Sequence, residues 1–238
     1  MLSFPPMRPP WEDLEPASRS AVERQRHAAK RVDQFATAVF AVAMALPVIR
    51  LIEQASTTIL PGSPLIQMVR AIGPAIASCA IALLALLASW LLHHLVSHYL
   101  TRSSGTLLLL HAVLLPSVLF IPFSASLLNL LSLTRPMLLL FEGNVLLVQL
   151  LLMLTWRHAI RGGLLFGSDV PRRVVLRVRL LLGAGVGALV AVAGVAMVSP
   201  AVSLVAFAVV LLAQMIIIAR GGYALDLHTP PPRSPSGY

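Results

Sequence analysis

The second apolar run of the chain closes in WLLHHLVSHYL, where His94 and His98 stand four residues apart. On a helix that spacing puts both imidazoles on one face, and it is a spacing that can hold zinc. Two histidines without a carboxylate or thiol do not complete a site, so the metal reading yields to imidazole and aromatic groups hydrogen-bonding at a membrane interface. Trp90, His93 and His94 follow at intervals of three and four and are expected to share a helix face there. Gly183, Gly185 and Gly187 in LLGAGVGALVAVAG imitate a dinucleotide fingerprint, but the third glycine comes one position early and no soluble strand precedes it. Gly183 and Gly187 read instead as a small-xxx-small pair that lets two membrane helices approach closely. There is no phosphate loop, no HExxH, no nucleophile elbow and no carboxylate pair suited to acid and base work. An enzyme is not expected, nor a cofactor or metal. Cys79 is the single cysteine, so no intrachain disulfide exists and a buried, inert thiol is expected.

The elements that carry these groups follow from composition. The chain has 238 residues, 58% hydrophobic and 11% charged, a balance that a soluble domain sustains only with large exposed apolar patches. Crossing the hydrocarbon takes about 20 predominantly apolar residues. Runs of that kind lie near 35–53, 74–98, 106–130, 136–156, 175–198 and 200–219. The expected fold class is therefore an all-α integral membrane protein with six transmembrane helices. The proline-rich start, 1–17, reads as a flexible arm, 18–220 as one six-helix domain, and 221–238, ending in HTPPPRSPSGY, as a disordered tail that cannot build a core. Because a polar arm comes first and the first run continues through Pro47 to Leu51, this run reads as a retained helix and not as a signal peptide.

The placement of positive charge explains the formal +9. Arg8, Arg19, Arg24, Arg26, Lys30 and Arg31 precede the first span, Arg102 follows the second, and Arg157, Arg161, Arg172, Arg173, Arg177 and Arg179 crowd between the fourth and fifth. Arg220 and Arg233 follow the last, whereas the alternate connections hold only Arg50, Arg70 and Arg135. Lys and Arg gather on the cytoplasmic side, so both termini are expected in the cytoplasm. The basic balance then reflects topology and contact with anionic membrane lipids, and no nucleic acid is expected as a partner.

The first span, RVDQFATAVFAVAMALPVIRLIE, has two distinct faces. At about 100° per residue, Phe35, Val39, Val42, Leu46 and Ile49 fall in one narrow stripe closed by Glu53, a geometry suited to lining a pore. Asp33 and Thr37 lie on the opposite side and are expected to point at neighbouring helices. In the third span Pro116 and Pro122 each remove a backbone hydrogen bond and are expected to kink the helix, with His111, Ser117, Ser124 and Asn129 as interhelical glue. The fourth span carries Glu142, Asn144 and Gln149; a carboxylate near a helix end can stay hydrated, so Glu142 need not be a transport residue.

Taken together, Arg31 and FATAVFAVA resemble the first-helix motif of the transmembrane protein 175 family of potassium channels, R-x-x-x-F-S-D followed by a small residue and an aliphatic run. W-x-x-H-H at Trp90 to His94 is similar to that family's second-helix ending, and LLPSVLFIPFSASLL, with Pro122, Phe123 and Ser124, resembles its third helix. Asn144, Trp156, Ser199 and Pro200 also fall where the family pattern puts them. The resemblance implies six-helix subunits that assemble as tetramers in a bacterial plasma membrane, with each first helix lining a central potassium pathway. It also implies a hydrophobic constriction seven residues past the motif phenylalanine, which is Val42, with Leu46 and Ile49 as further rings. Valine is a methylene shorter than isoleucine, so a neck at Val42 is wider and less selective unless Leu46 becomes the tightest ring. Glu53 reads either as a charge that concentrates cations at the mouth or as a solvated charge at a helix end. Where the family has Ser and Asp, this chain has Ala36 and Thr37. Thr37 retains a hydroxyl for Trp90 or His94, and Asp33 stands one turn earlier as a substitute carboxylate. Arg31, Phe35, Ala36, Thr37, Trp90, His93 and His94 thus form the expected interhelical network. A non-conducting structural or partner-binding protein stays open as an alternative, as does a secondary transporter, although the halves show no convincing repeat.

Overall fold

Six apolar runs become six helices: α1 (Pro16–Thr58), α2 (Leu65–His98), α3 (Gly105–Leu130), α4 (Arg135–Arg161), α5 (Arg172–Ala196) and α6 (Pro200–Asp226). The structure is a computed structural model that describes residues 16–58, 64–100, 104–130, 133–163 and 172–226. Every one of the six helices is long and apolar enough to cross a membrane, which makes the chain an all-α integral membrane protein. Pro16 opens α1 at a first helical position, where the missing N–H removes no bond. At the other end α6 runs to Asp226, six residues into the segment drawn as tail, with no proline before Pro230 to stop it. The rest of the expected arm and tail, together with Arg8, Arg102 and Arg233, lies outside the described residues. Gly162 and Gly163 end α4: Gly162 N–H donates to the His158 carbonyl at 2.8 Å, and Gly163 takes φ of 60°, the left-handed turn that glycine adopts without a Cβ clash.

One apolar core joins all six helices, with Trp156, Phe40, Phe141 and Phe207 its largest fully buried side chains. Phe141 of α4 and Phe207 of α6 pack with ring centroids 5.3 Å apart. Polar groups inside this core are paired across helices in ways that differ from expectation. In α3, Ser117, Ser124 and His111 bond carbonyls of their own helix, at Val113, Ile121 and Leu107, and so do not act as glue. The hydroxyls close locally because a backbone carbonyl one turn back is always within reach. The bonds between helices come from the neighbours: Asn144 Nδ2 donates to the Ser117 carbonyl at 3.1 Å, and Ser78 Oγ to the Ala125 carbonyl at 2.8 Å. The side chain of Asn129 is outside the described set.

A polar seam runs between α4, α5 and α6. Gln149 and Gln214 exchange two amide bonds, of 2.9 and 3.1 Å, and their amides lie directly over Gly185. A Cβ at position 185 would fall onto Gln214 Nε2 and within 2.8 Å of Gln149 Oε1. Gly183 and Gly187, expected to permit close approach, have open space where a Cβ would sit. The correction has a simple cause: period four was read from Gly183, while the face that α5 turns inward is Val178, Leu182, Gly185, Leu189 and Val192. Two turns up the seam Glu142 is buried, not hydrated, and its Oε1 lies 2.8 Å from Ser203 Oγ. Gly185→Ala is expected to destabilise the protein by about 1–3 kcal/mol through overpacking, whereas Gly183→Ala and Gly187→Ala change little. Thermal unfolding of the three detergent-solubilised variants checks the order.

Candidate functional site

α1 stands at the edge of the bundle and packs against α2 and α3. The face it buries is Ala36, Phe40, Ala43 and Pro47, at intervals of four, three and four. Small residues on either side of Phe40 bring the helix backbones close, and the aromatic ring fills the space between them, 5.5 Å from the His93 ring. The stripe singled out in the sequence is the part of α1 that this packing leaves uncovered. Phe35, Val42, Leu46 and Ile49 are 64%, 57%, 37% and 50% exposed, and Val39, at the edge of the packed face, is half-buried. Glu53 closes the stripe as expected, but its carboxylate lies 3.6 Å from Arg50 on the same helix. The C-terminal end of the stripe therefore carries charges of both signs, Arg50 beside Glu53, and not a lone carboxylate.

The network around the divergent motif is partly rearranged. Arg31 is exposed, Ala36 is fully buried against α2 and α3, and Thr37 faces outward with no bond to Trp90 or His94. Thr37 does not point at the neighbouring helices because the mean direction of Ala36, Phe40, Ala43 and Pro47 lies about a quarter turn away. Asp33 is turned towards α2, where its Oδ1 lies 3.9 Å from His93 Nδ1. Trp90, His93 and His94 do not act as one face. His93 enters the core, with its ring edge-on to His111 at 5.7 Å and its Nε2 3.4 Å from Ser97 Oγ, while His94 remains exposed and stacks on Trp90 at 5.6 Å. Among the described residues no three potential ligands gather into a metal cluster, and His98 packs on Tyr99. His111 stands out in the sequence as a polar group in an apolar run, whereas Phe40, central to this cluster, has no signal of its own beyond the spacing of Ala36, Phe40 and Ala43.

Magnitudes decide what holds α1 in place. The contact between Asp33, 41% exposed, and the buried His93 imidazole spans 3.9 Å and is an ion pair only when the imidazole carries a proton, so it contributes about 1 kcal/mol or less. Truncating a buried phenylalanine costs about 3–5 kcal/mol, so the packing of Phe40 outweighs the pair. The backing is not uniform along the helix. Behind Val42 lie the fully buried Phe40 and Ala43, whereas behind Leu46 a cavity of about 550 Å³ opens between α1, α2 and α3. Pro47, Arg50, Ser78, Cys79 and Phe123 are among its walls, and Pro47 leaves the Ala43 carbonyl without its helical donor.

The stripe, the histidine cluster and both α3 prolines all lie within residues 31–122, the stretch matched by a family model described as the endosomal/lysosomal potassium channel TMEM175. The resemblance to the TMEM175 family holds. The match takes in α1 from Arg31, all of α2, and α3 as far as Pro122. Among solved structures the chain is similar to a homolog, from Chamaesiphon minutus, of the lysosomal potassium-selective channel TMEM175. The two share 19% identity with a TM-score of 0.65, over 81% of this chain and 98% of that one, a likeness of fold that extends past the matched stretch. No curated protein matches the sequence. Phe40→Ala is expected to lower stability by about 3–5 kcal/mol and Asp33→Asn by about 1 kcal/mol or less, as read by chemical or thermal unfolding in detergent. The reverse order would make the Asp33–His93 pair the main tie.

Proposed function

We propose that the chain is a subunit of a potassium-preferring cation channel, in which four copies surround a central pathway walled by α1. The observation that carries this reading is the apolar stripe left open on a helix whose densely packed face lies about a third of a turn away. Turned towards a shared axis, Phe35, Val39, Val42, Leu46 and Ile49 form successive rings, with Val42 the constriction. Aliphatic rings make a neck that water fills reluctantly, so an ion passes when the neck wets and the ion sheds part of its hydration. Potassium sheds that water more cheaply than sodium, which sets the preference. The match to the TMEM175 family model over residues 31–122 supports this reading, as does the shared fold. The firm backing of Val42 by Phe40 and Ala43 suits a constriction of fixed width.

The gathering of Lys and Arg on alternate connections supports a topology with both termini in the cytoplasm, in which lipids cover the outer faces of the assembly, and the resemblance supports a bacterial plasma membrane as its site. A second reading, a subunit of the same fold that does not conduct, is favoured by Ala36 and Thr37 in place of the motif's Ser and Asp. One experiment separates the two. The full chain in liposomes under a potassium gradient is expected to carry a flux larger for potassium than for sodium. Val42→Asn wets the neck and brings the two fluxes towards equality. Unchanged ratios in that variant would remove Val42 from the pathway, and a stable oligomer without flux would favour the second reading.

A further inference from the structure

Away from α1, the seam between α4, α5 and α6 contains a carboxyl group in an unusual setting. Glu142 is 1% exposed, and its partner Ser203 is fully buried. Ser203 Oγ lies 2.8 Å from Glu142 Oε1 and also 2.8 Å from the Val192 carbonyl oxygen. A hydroxyl has one proton to donate, and a backbone carbonyl can only accept. Were Glu142 ionised it too could only accept, and one of these two contacts would set oxygen against oxygen with no hydrogen between them. With a proton on Glu142 both bonds form: the acid O–H donates to Ser203 Oγ, and the Ser203 O–H donates to Val192. We propose that Glu142 is a proton-binding site, a neutral carboxylic acid whose proton completes a hydrogen-bond chain from α4 through α6 to α5.

Two further observations agree. Glu142 Oε2 is buried with no hydrogen-bond partner, an arrangement that costs far less for the carbonyl oxygen of an acid than for half of a carboxylate charge. Among the described residues Arg50 lies by Glu53 and His93 by Asp33, the latter an ion pair only with His93 protonated, and neither contact involves Glu142. The hydrogen-bonding groups that meet it are Ser203 of α6 and, through Ser203, the Val192 carbonyl of α5. On its own helix the nearest cation in sequence, Arg135, is exposed and seven residues away. Loss of the proton would leave Ser203 with two acceptors and one hydrogen, so either the link to α4 or the link to α5 must open. The site is independent of the channel reading, since α1 takes no part in it.

Infrared spectroscopy of the full chain in liposomes at neutral pH tests the assignment. The difference between wild type and Glu142→Gln is expected to contain a carboxylic-acid carbonyl band, lost in the variant because its amide absorbs elsewhere. Ser203→Ala is expected to shift that band without abolishing it. Superimposable wild-type and Glu142→Gln spectra in the acid region would overturn the proposal. If Glu142→Gln does not fold, a wild-type acid region that is empty, or indifferent to Ser203→Ala, overturns it as well.

Discussion

The close packing of Ala36, Phe40 and Ala43 against α2 and α3 is the constraint on which the arrangement of α1 depends. In a bilayer, apolar contact between helices gains nothing by leaving water, because lipid tails are as apolar as the side chains they replace. What remains is fit. Two alanines bring the backbones near, and one phenylalanine occupies the gap that nearness creates, reaching His93. Once that face is fixed, helical geometry settles the rest: Val42 and Ile49 must point elsewhere, and they do. A stripe of large apolar groups facing out is thus the counterpart of a packed face, and both come from the same dozen residues.

The departure from the family motif is intelligible in these terms. Ala36 takes the place of a serine at a position fully enclosed by α2 and α3, where a methyl group packs and asks for no partner. Thr37 takes the place of an aspartate at an exposed position, and its hydroxyl joins nothing across the helix interface. The acidic contact to α2 comes instead from Asp33, one turn earlier, towards a histidine that the core already encloses. That contact is long and half-exposed. It adds to the packing of Phe40 and does not replace it.

Much of the architecture was legible in the chain itself. Six apolar runs gave six helices because in lipid a backbone has to satisfy its own hydrogen bonds, which leaves little freedom once a run is long enough. The stripe on α1 was legible because a period of 3.6 sorts residues by face without reference to anything outside the helix. What the sequence did not reveal depends on which neighbour stands opposite. His93 and His94 are adjacent, yet one enters the core beside His111 and the other stacks on Trp90, a division set by where α1 and α3 lie. Gly185 looks no different from Gly183 until Gln149 and Gln214 are placed over it. Gln214 and Ser203 stand in the apolar run of α6, and a polar residue in such a run was the available signal for a buried partner. The burial of Glu142 was not legible because distance from a helix end along the chain says little about what covers the side chain.

The void behind Leu46, together with the missing bond at Pro47, divides α1 into two rods of unequal compliance. The N-terminal part is clamped by solid packing, whereas the part from Leu46 onward has room behind it and one fewer tie to the turn before it. A membrane that thins or thickens has to be accommodated by tilting or bending the helices that cross it. In α1 the place where bending meets least resistance is the turn around Pro47, where space at its side and a missing hydrogen bond coincide.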